Sequence, residues 1–284
     1  MLMKPSLDTV QRIVRLALDE DAPWGDLTSQ AFIPADAVVT AQLVAREAGV
    51  FCGADIVTMA FTLTDDTVTT SFHLADGDSF TATDVLATIH GPARSILQAE
   101  RIALNFAQRL CGIATMTSRY VAAAKGTKAR ITDTRKTTPG LRLFERYAVR
   151  CGGGHNHRFS LSDAVMVKDN HLAAHGNTDI TKALSELRSK LPHTTHIEVE
   201  VDRPDQIEAV LAAGIDTLLL DNFTPAQLRT AVAQIEGRAL VEASGGITLE
   251  SIPVIASTGV DIISVGALTH SVRSLDLGLD IASA

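Results

Sequence analysis

The chain has 284 residues, 46% of them hydrophobic and 20% charged, a balance suited to one large or two smaller globular domains with an ample core. A net charge of −8 argues against a general affinity for nucleic acid or anionic membranes and leaves room only for a local basic patch. The three cysteines (Cys52, Cys111, Cys151) form no C-x-x-C pair, the start shows no basic-then-apolar leader, and no apolar run approaches the roughly 18 residues of a membrane span, so a soluble, cytoplasmic protein with reduced thiols is expected.

Residues 6–20 place Val10, Ile13, Val14, Leu16, Ala17 and Leu18 at spacing that suits an amphipathic helix, with Ser6 or Asp8 as the N-cap. Residues 37–90 are short, β-branched and broken by Gly and Asp, which predicts a small antiparallel sheet, with ADGDSF as a tight turn between two strands. Residues 94–124 return to helix, with Gly112 a candidate break. From residue 130 strands and helices alternate. ARITDT, AVMVKD, THIEVEV, DTLLLD, RALVEAS and DIISVG read as strands, with PDQIEAVLAAG, TPAQLRTAVAQIEG and TLESIPVIASTG as helices between the later ones. The later strands start roughly 20–23 residues apart, as βα units of a parallel sheet or barrel do. Pro225 suits a first helical turn, and Gly214, Gly237 and Gly259 suit helix C-termini.

In such folds the chemistry sits at the C-terminal ends of the strands. Polar residues gather there: Thr134, Arg135 and Lys136; Lys168 through His171; Glu200 with Asp202; Asp221 and Asn222; Ser244, Gly245 and Gly246; and Gly266. Between Arg135 and His171 seven basic residues face three acids. Arg142, Arg146 and Arg150 fit the solvated face of a helix, whereas Arg135, Lys136, Arg158 and Lys168 follow strands or a glycine loop and suit an anion pocket. Glu198 and Glu200 share one face of a strand, because side chains alternate. Glu198 reads equally well as half of a buried ion pair. Strand-end carboxylates opposite a basic pocket suit Mg²⁺ held through phosphate and water, or ribose hydroxyls. The SGG at 244–246 and the VGAL at 265–268 offer backbone N–H groups to a phosphate.

The stretch GGGHNHR at 152–158 admits three readings: phosphate loop, metal site or anion pocket. No GxxxxGK[ST] occurs, and Arg158 and Lys168 would repel a dication bound by His155 and His157, so the anion pocket is left.

Together, TDTRKTTPGLRLFERYAVRCGGGHNHRFSLSDAVMVKDNH, EVEVD, LLLDNF, EASGGI and VGALTHS closely resemble the quinolinate phosphoribosyltransferase family, also called nicotinate-nucleotide pyrophosphorylases (carboxylating). The resemblance extends to LDEDAPWGDLTS, REAGV and AERIALN near the start. It implies an α/β fold: an N-terminal open-faced α/β sandwich over residues 1–113, an incomplete α/β barrel over 114–269, and a tail, 270–284, packed back on the first domain. It implies transfer of phosphoribose from phosphoribosyl pyrophosphate to quinolinate with loss of CO₂, Mg²⁺ as cofactor, and a homodimer with Arg101 reaching into the partner's site. By motif, Arg135, Lys136, His157, Arg158 and Lys168 would hold the quinolinate carboxylates, with Thr134 also substrate-binding. Glu200 and Asp221 would face ribose and Mg²⁺, the metal held indirectly, and Ser244, Gly245, Gly246 and Gly266 would take the 5′-phosphate. Lys136, Lys168, Glu200 and Asp221 would be catalytic, and His155 fills a variable position without a role.

Three alternatives stand beside this. A molybdenum-transport-associated relative could act on another substrate, although the intact NHR and KDNH stretches favour quinolinate. Lys168 could be a Schiff-base lysine in a barrel aldolase. The scaffold could also be a non-catalytic sensor, which would have no need of both Glu200 and Asp221.

Overall fold

A computed structural model describes residues 4–176 and 179–281. In chain order it contains α1 (Leu7–Asp21), α2 (Leu27–Phe32), β1 (Val38–Ala45), β2 (Gly49–Val50), α3 (Ala54–Thr64), β3 (Thr69–Phe72), β4 (Ser79–Phe80), β5 (Val85–Pro92) and α4 (Ala93–Ala123). There follow β6 (Arg130–Thr132), α5 (Arg142–Cys151), β7 (Val165–Val167), α6 (Asp169–His175), α7 (Ile180–Ser189), β8 (Ile197–Val201), α8 (Ile207–Leu211), β9 (Thr217–Asp221) and α9 (Pro225–Ile235). The chain ends with β10 (Leu240–Ser244), α10 (Ile252–Ala256), β11 (Ile262–Ser264), α11 (Ala267–His270) and β12 (Leu277–Ile281). These elements fall into two compact units. The first takes the chain up to Ser118, Pro139–Gly153 and the stretch from Val272; the second takes Arg119–Thr138 and Gly154–Ser271. The units are therefore not continuous in sequence: α5 groups with the first, and the division falls inside α4.

In the first unit an antiparallel sheet runs in the order β12-β1-β5-β3. Its register puts Ala41, Ile89 and Thr70 in one row and Leu43, Ala87 and Phe72 in the next, on a single face. Thr40, Gln42, Thr88 and His90 alternate onto the other face, where Thr40 hydrogen-bonds His90. The apolar face is covered, with Leu43 and Ile89 lying near Val57 and Phe61 of α3, while the opposite face stays polar, as an open-faced sandwich requires. Ser6 is the cap of α1, its hydroxyl accepting from the Thr9 amide at 3.3 Å. The ADGDSF turn forms, but it is not a hairpin: β3 pairs with β5 and β4 pairs with β2, so the turn joins two sheets.

Gly112 does not break its helix, since α4 runs unbroken through 31 residues. A Cβ there would lie 2.3 Å from the Arg273 carbonyl oxygen, so the glycine serves close packing of the C-terminal segment. That segment continues into β12, which pairs with β1 from Ala41↔Ile281 to Ala45↔Leu277.

The second unit holds a six-stranded parallel sheet in the order β6-β11-β10-β9-β8-β7. Between its edge strands β6 and β7 no pairing exists among the described residues, so it is an open, incomplete barrel. One face of the central strands is apolar and buried: Ile197, Val199 and Val201 on β8, Leu218 and Leu220 on β9, Val241 and Ala243 on β10. The helix expected at PDQIEAVLAAG is shorter, a turn of 3₁₀ helix over Pro204–Gln206 leading into α8. Thr224 caps α9, with Pro225 at its first turn.

Candidate active site

The other face of the parallel sheet is polar, which a packed barrel core is not. Alternation puts Glu198 and Glu200 there from β8, Thr217, Leu219 and Asp221 from β9, and Glu242 and Ser244 from β10. Register sets Asp221 beside Ser244, and Glu200 and Glu242 on either side of Leu219. A cavity of about 390 Å³ opens at the C-terminal ends of these strands. It is lined by Thr134, Arg135, Lys136, His157, Arg158, Lys168, Glu200, Asp221 and Ser244, all singled out in the sequence, and also by Met166, Leu219, Glu242 and Ser264.

The remaining expected residues stand differently. Gly245 and Gly246 form the turn after Ser244, and Gly266 precedes α11; none contributes to the cavity lining. Gly245 has φ +91° and a Cβ there would meet Asn222 Oδ1 at 2.2 Å, so only glycine fits beneath the Asp221 turn. Gly266 lies against the Lys136 side chain. Arg101 is exposed on α4 and is not among the lining residues.

The loop that carries His157 and Arg158 is stapled to the edge of β6. Thr132 and His155 form a parallel bridge, and the His155 amide donates to the Ile131 carbonyl at 2.8 Å. The fully buried Asp133 carboxylate then accepts from the His157 amide at 2.7 Å and from Asn156 Nδ2 at 2.6 Å. His155 thus serves through its backbone. Arg158 is steered by its own Nη1, which donates to the Ala164 carbonyl at 2.8 Å. Burial and the adjacent Arg135 guanidinium both push the Arg158 pKa below its ordinary value. An Arg158 guanidinium crowded in this way makes a site that an anion relieves.

Lys168 Nζ is ion-paired with Glu200 Oε2. The Lys168 amide donates to His171 Nδ1 at 2.9 Å, which ties His171 to the start of α6. Asp221 Oδ2 accepts from Asn222 Nδ2 at 2.7 Å, and Asn222, at φ +57°, also donates its amide to the Ser244 carbonyl. The Lys136 carbonyl accepts from the Thr269 hydroxyl at 2.7 Å.

Below this tier lies a second one. His157 Nε2 is 3.1 Å from Glu198 Oε2 and 3.4 Å from Glu242 Oε1. These three are the group among the described residues whose atoms stand close enough to hold a metal ion. Both ring nitrogens of His157 are engaged, because Nδ1 faces the Arg158 amide at 2.8 Å. Burial disfavours a charged imidazole, but the Glu198 and Glu242 carboxylates outweigh it and push its pKa up to about 10. Burial also raises the Glu198 pKa, with His157 pulling the other way.

Besides Met166, Leu219 and Ser264, two charged residues escaped the sequence reading. Asp133, inside the TDTRK stretch, positions the loop, and Glu242 lies on the cavity floor. Glu242 had a signal: it is a lone charge in mid-strand, flanked by Val241 and Ala243 and two residues before Ser244.

The quinolinate phosphoribosyl transferase N-terminal domain matches residues 26–111 and the C-terminal domain of that enzyme matches residues 113–280. The chain is 46% identical, over 92% of its length and 90% of the relative's, to a probable nicotinate-nucleotide pyrophosphorylase [carboxylating] of Bacillus subtilis. It is 44% identical to the Mycobacterium leprae nicotinate-nucleotide pyrophosphorylase [carboxylating], over 99% of this chain and 100% of that one. Among solved structures, the Francisella tularensis nicotinate-nucleotide pyrophosphorylase superposes with a TM-score of 0.93 at 39% identity, covering 99% of both chains. Two consecutive domain matches and full-length relatives above 40% identity thus meet the polar sheet face and its basic cavity, and the chain belongs to the quinolinate phosphoribosyltransferase family.

Proposed function

We propose that this cavity transfers phosphoribose from phosphoribosyl pyrophosphate to quinolinate and releases CO₂, giving nicotinate mononucleotide and pyrophosphate for NAD biosynthesis. One observation carries the reading: Arg135, Lys136, Arg158 and Lys168 line the same cavity as Glu200, Asp221 and Ser244. A dicarboxylate and a sugar phosphate need those two kinds of surface side by side.

The cations bind the quinolinate dianion and turn its ring nitrogen toward C1 of the ribose. Met166 and Leu219 supply apolar wall in the same cavity, where the departing carboxylate would meet little charge, while the guanidiniums hold the retained one. Positive charge builds on the ribose as pyrophosphate leaves, and Glu200 and Asp221 favour that state. Attack by the pyridine nitrogen makes it cationic, and the electrons left by CO₂ are stabilised beside N⁺. The Ser244 turn and the segment at Gly266 take the 5′-phosphate. His157 meets quinolinate only if it exchanges a present partner.

Glu200 and Asp221 are hard oxygen donors already engaged by Lys168 and Asn222, so they suit Mg²⁺ held through water and phosphate oxygens better than a closed cage of protein ligands. Bound there, Mg²⁺ would offset charge on the leaving pyrophosphate. We assign the working form as a homodimer in which Arg101, exposed on α4, enters the partner's site. We assign it to the cytoplasm, in keeping with its three free, buried thiols; none of the described helices is long and apolar enough to cross a membrane. A Schiff-base role for Lys168 needs a free amine, whereas its Nζ is ion-paired with Glu200. The test is formation of nicotinate mononucleotide from quinolinate, phosphoribosyl pyrophosphate and Mg²⁺. Folded protein that makes none refutes the assignment.

A further inference from the structure

The proposed reaction leaves a need that the cationic cluster does not meet. Loss of CO₂ breaks the C2–carboxylate bond and leaves its electron pair on C2, and a proton must then reach that carbon. Arginine does not give up its proton in proteins, Lys168 is tied to Glu200, and the Lys136 side chain lies against Gly266, beside the segment assigned to the 5′-phosphate.

The second tier of the polar sheet face has what is missing. Glu198 and Glu242 are 3% and 1% exposed, and the ligand atoms of both and of His157 lie within 4.8 Å of one another. Glu198 Oε1 and Glu242 Oε1 are buried and make no hydrogen bond. Two ionised carboxylates at this separation, out of water, would repel strongly. His157 can relieve them with Nε2–H, but its Nδ1 faces the Arg158 amide and has to keep its lone pair. The two carboxylates that push the His157 pKa up draw an extra proton into the trio, and with Nδ1 accepting from the Arg158 amide that proton rests on a carboxylate and not on the ring. The same contact argues against a metal, which would take the Nε2 lone pair and leave Nδ1–H pointing at another N–H.

Glu242 has access to both sides. It lines the catalytic cavity, and with His157 and Arg158 it also lines a second cavity of about 440 Å³ toward the N-terminal ends of the strands. Glu198 lines only the second.

We propose that the Glu198–Glu242 pair holds one proton and that Glu242 delivers it to the pyridine carbon vacated by CO₂. The O–H bond of the Glu242 carboxyl breaks, the C2 electron pair takes the proton, and the carboxylate is reprotonated by water from the second cavity. This rests on the proposed phosphoribosyl transfer, and it makes Glu242 a catalytic residue and Glu198 a positioning residue.

The test separates the two chemical steps in a single turnover with enzyme in excess, following pyrophosphate and nicotinate mononucleotide together. In Glu242→Gln, which keeps the shape of the side chain, pyrophosphate release should stay within about threefold of the parent. Nicotinate mononucleotide should form at least about 100-fold more slowly, the lower end of what a general acid contributes. Glu198→Gln should show the same split, and it decides the matter if Glu242→Gln does not fold. Both products slowing in parallel would mean that the pair only shapes the pocket and would overturn the proposal; so would neither product slowing. If the parent enzyme forms no nicotinate mononucleotide, the proposed function fails instead, and the two failures are told apart.

Discussion

Replacing Asp133 by Asn tests how the substrate loop is held. The carboxylate is fully buried and accepts from the His157 amide at 2.7 Å and Asn156 Nδ2 at 2.6 Å. An asparagine of the same shape offers one oxygen and one NH₂, so one of those two donors must face another donor. A hydrogen bond to a charged group is worth about 1.5–3 kcal/mol, and a buried donor left unpaired adds its own desolvation cost. The expected loss is about 3 kcal/mol. If all of it were spent on folding, Tm would fall by roughly 5–10 °C. If it were spent on displacing His157 and Arg158, kcat/KM for quinolinate would fall on the order of 10²-fold, at 1.36 kcal/mol per tenfold. Thermal unfolding and steady-state kinetics on one preparation give both numbers, and together they should account for the expected loss. A variant within about 1 °C and twofold of the parent would show that Asp133 does not position the loop.

Arg135→Ala should lower kcat/KM for quinolinate by on the order of 10²-fold or more, as removal of one desolvated charge-assisted contact does; unchanged kinetics would remove Arg135 from the site. Gly245→Ala puts a Cβ 2.2 Å from Asn222 Oδ1 at φ +91°, so KM for phosphoribosyl pyrophosphate should rise about tenfold while KM for quinolinate stays within about twofold. Equal effects on both would argue that the turn does not serve the phosphate. Arg101→Ala and Glu200→Ala variants, each inactive alone, should regain activity when mixed and refolded together, because a mixed dimer restores one intact site; no recovery would place Arg101 outside the partner's cavity. Stability should also depend on pH. The His157 pKa is raised from 6.5 to about 10 and the Glu198 pKa is raised, so the folded cluster binds more protons than the unfolded chain. Its stabilisation is complete at low pH and is lost as pH rises through the folded values. Tm should therefore fall between about pH 6.5 and 10, less steeply in Glu242→Gln, and a flat profile in the parent would contradict the raised values.

The sequence carried the fold through periodicity. The alternation of strands and helices after residue 130 marked the parallel strands, and the period of THIEVEV put Glu198 and Glu200 on one face; Glu200 lines the cavity, whereas Glu198 lies in the tier below. Gly112 misled because a glycine inside a helical pattern looks like a breaker. Its cause lies in a close approach by Arg273, far along the chain. Asp133 was invisible as a clamp for a similar reason, since its partners come from a loop more than twenty residues later and only the fold joins them. His157 was legible as a pocket residue. Its engagement with Glu198 and Glu242 was not, because strand register decides which carboxylates meet it.

The central claim is tested most directly with quinolinate labelled in its C2 carboxylate. Purified protein with phosphoribosyl pyrophosphate and Mg²⁺ should release labelled CO₂, pyrophosphate and nicotinate mononucleotide in equal amounts, and none of the three when phosphoribosyl pyrophosphate is omitted. Folded protein that gives no labelled CO₂, or gives it without nicotinate mononucleotide, would contradict the account.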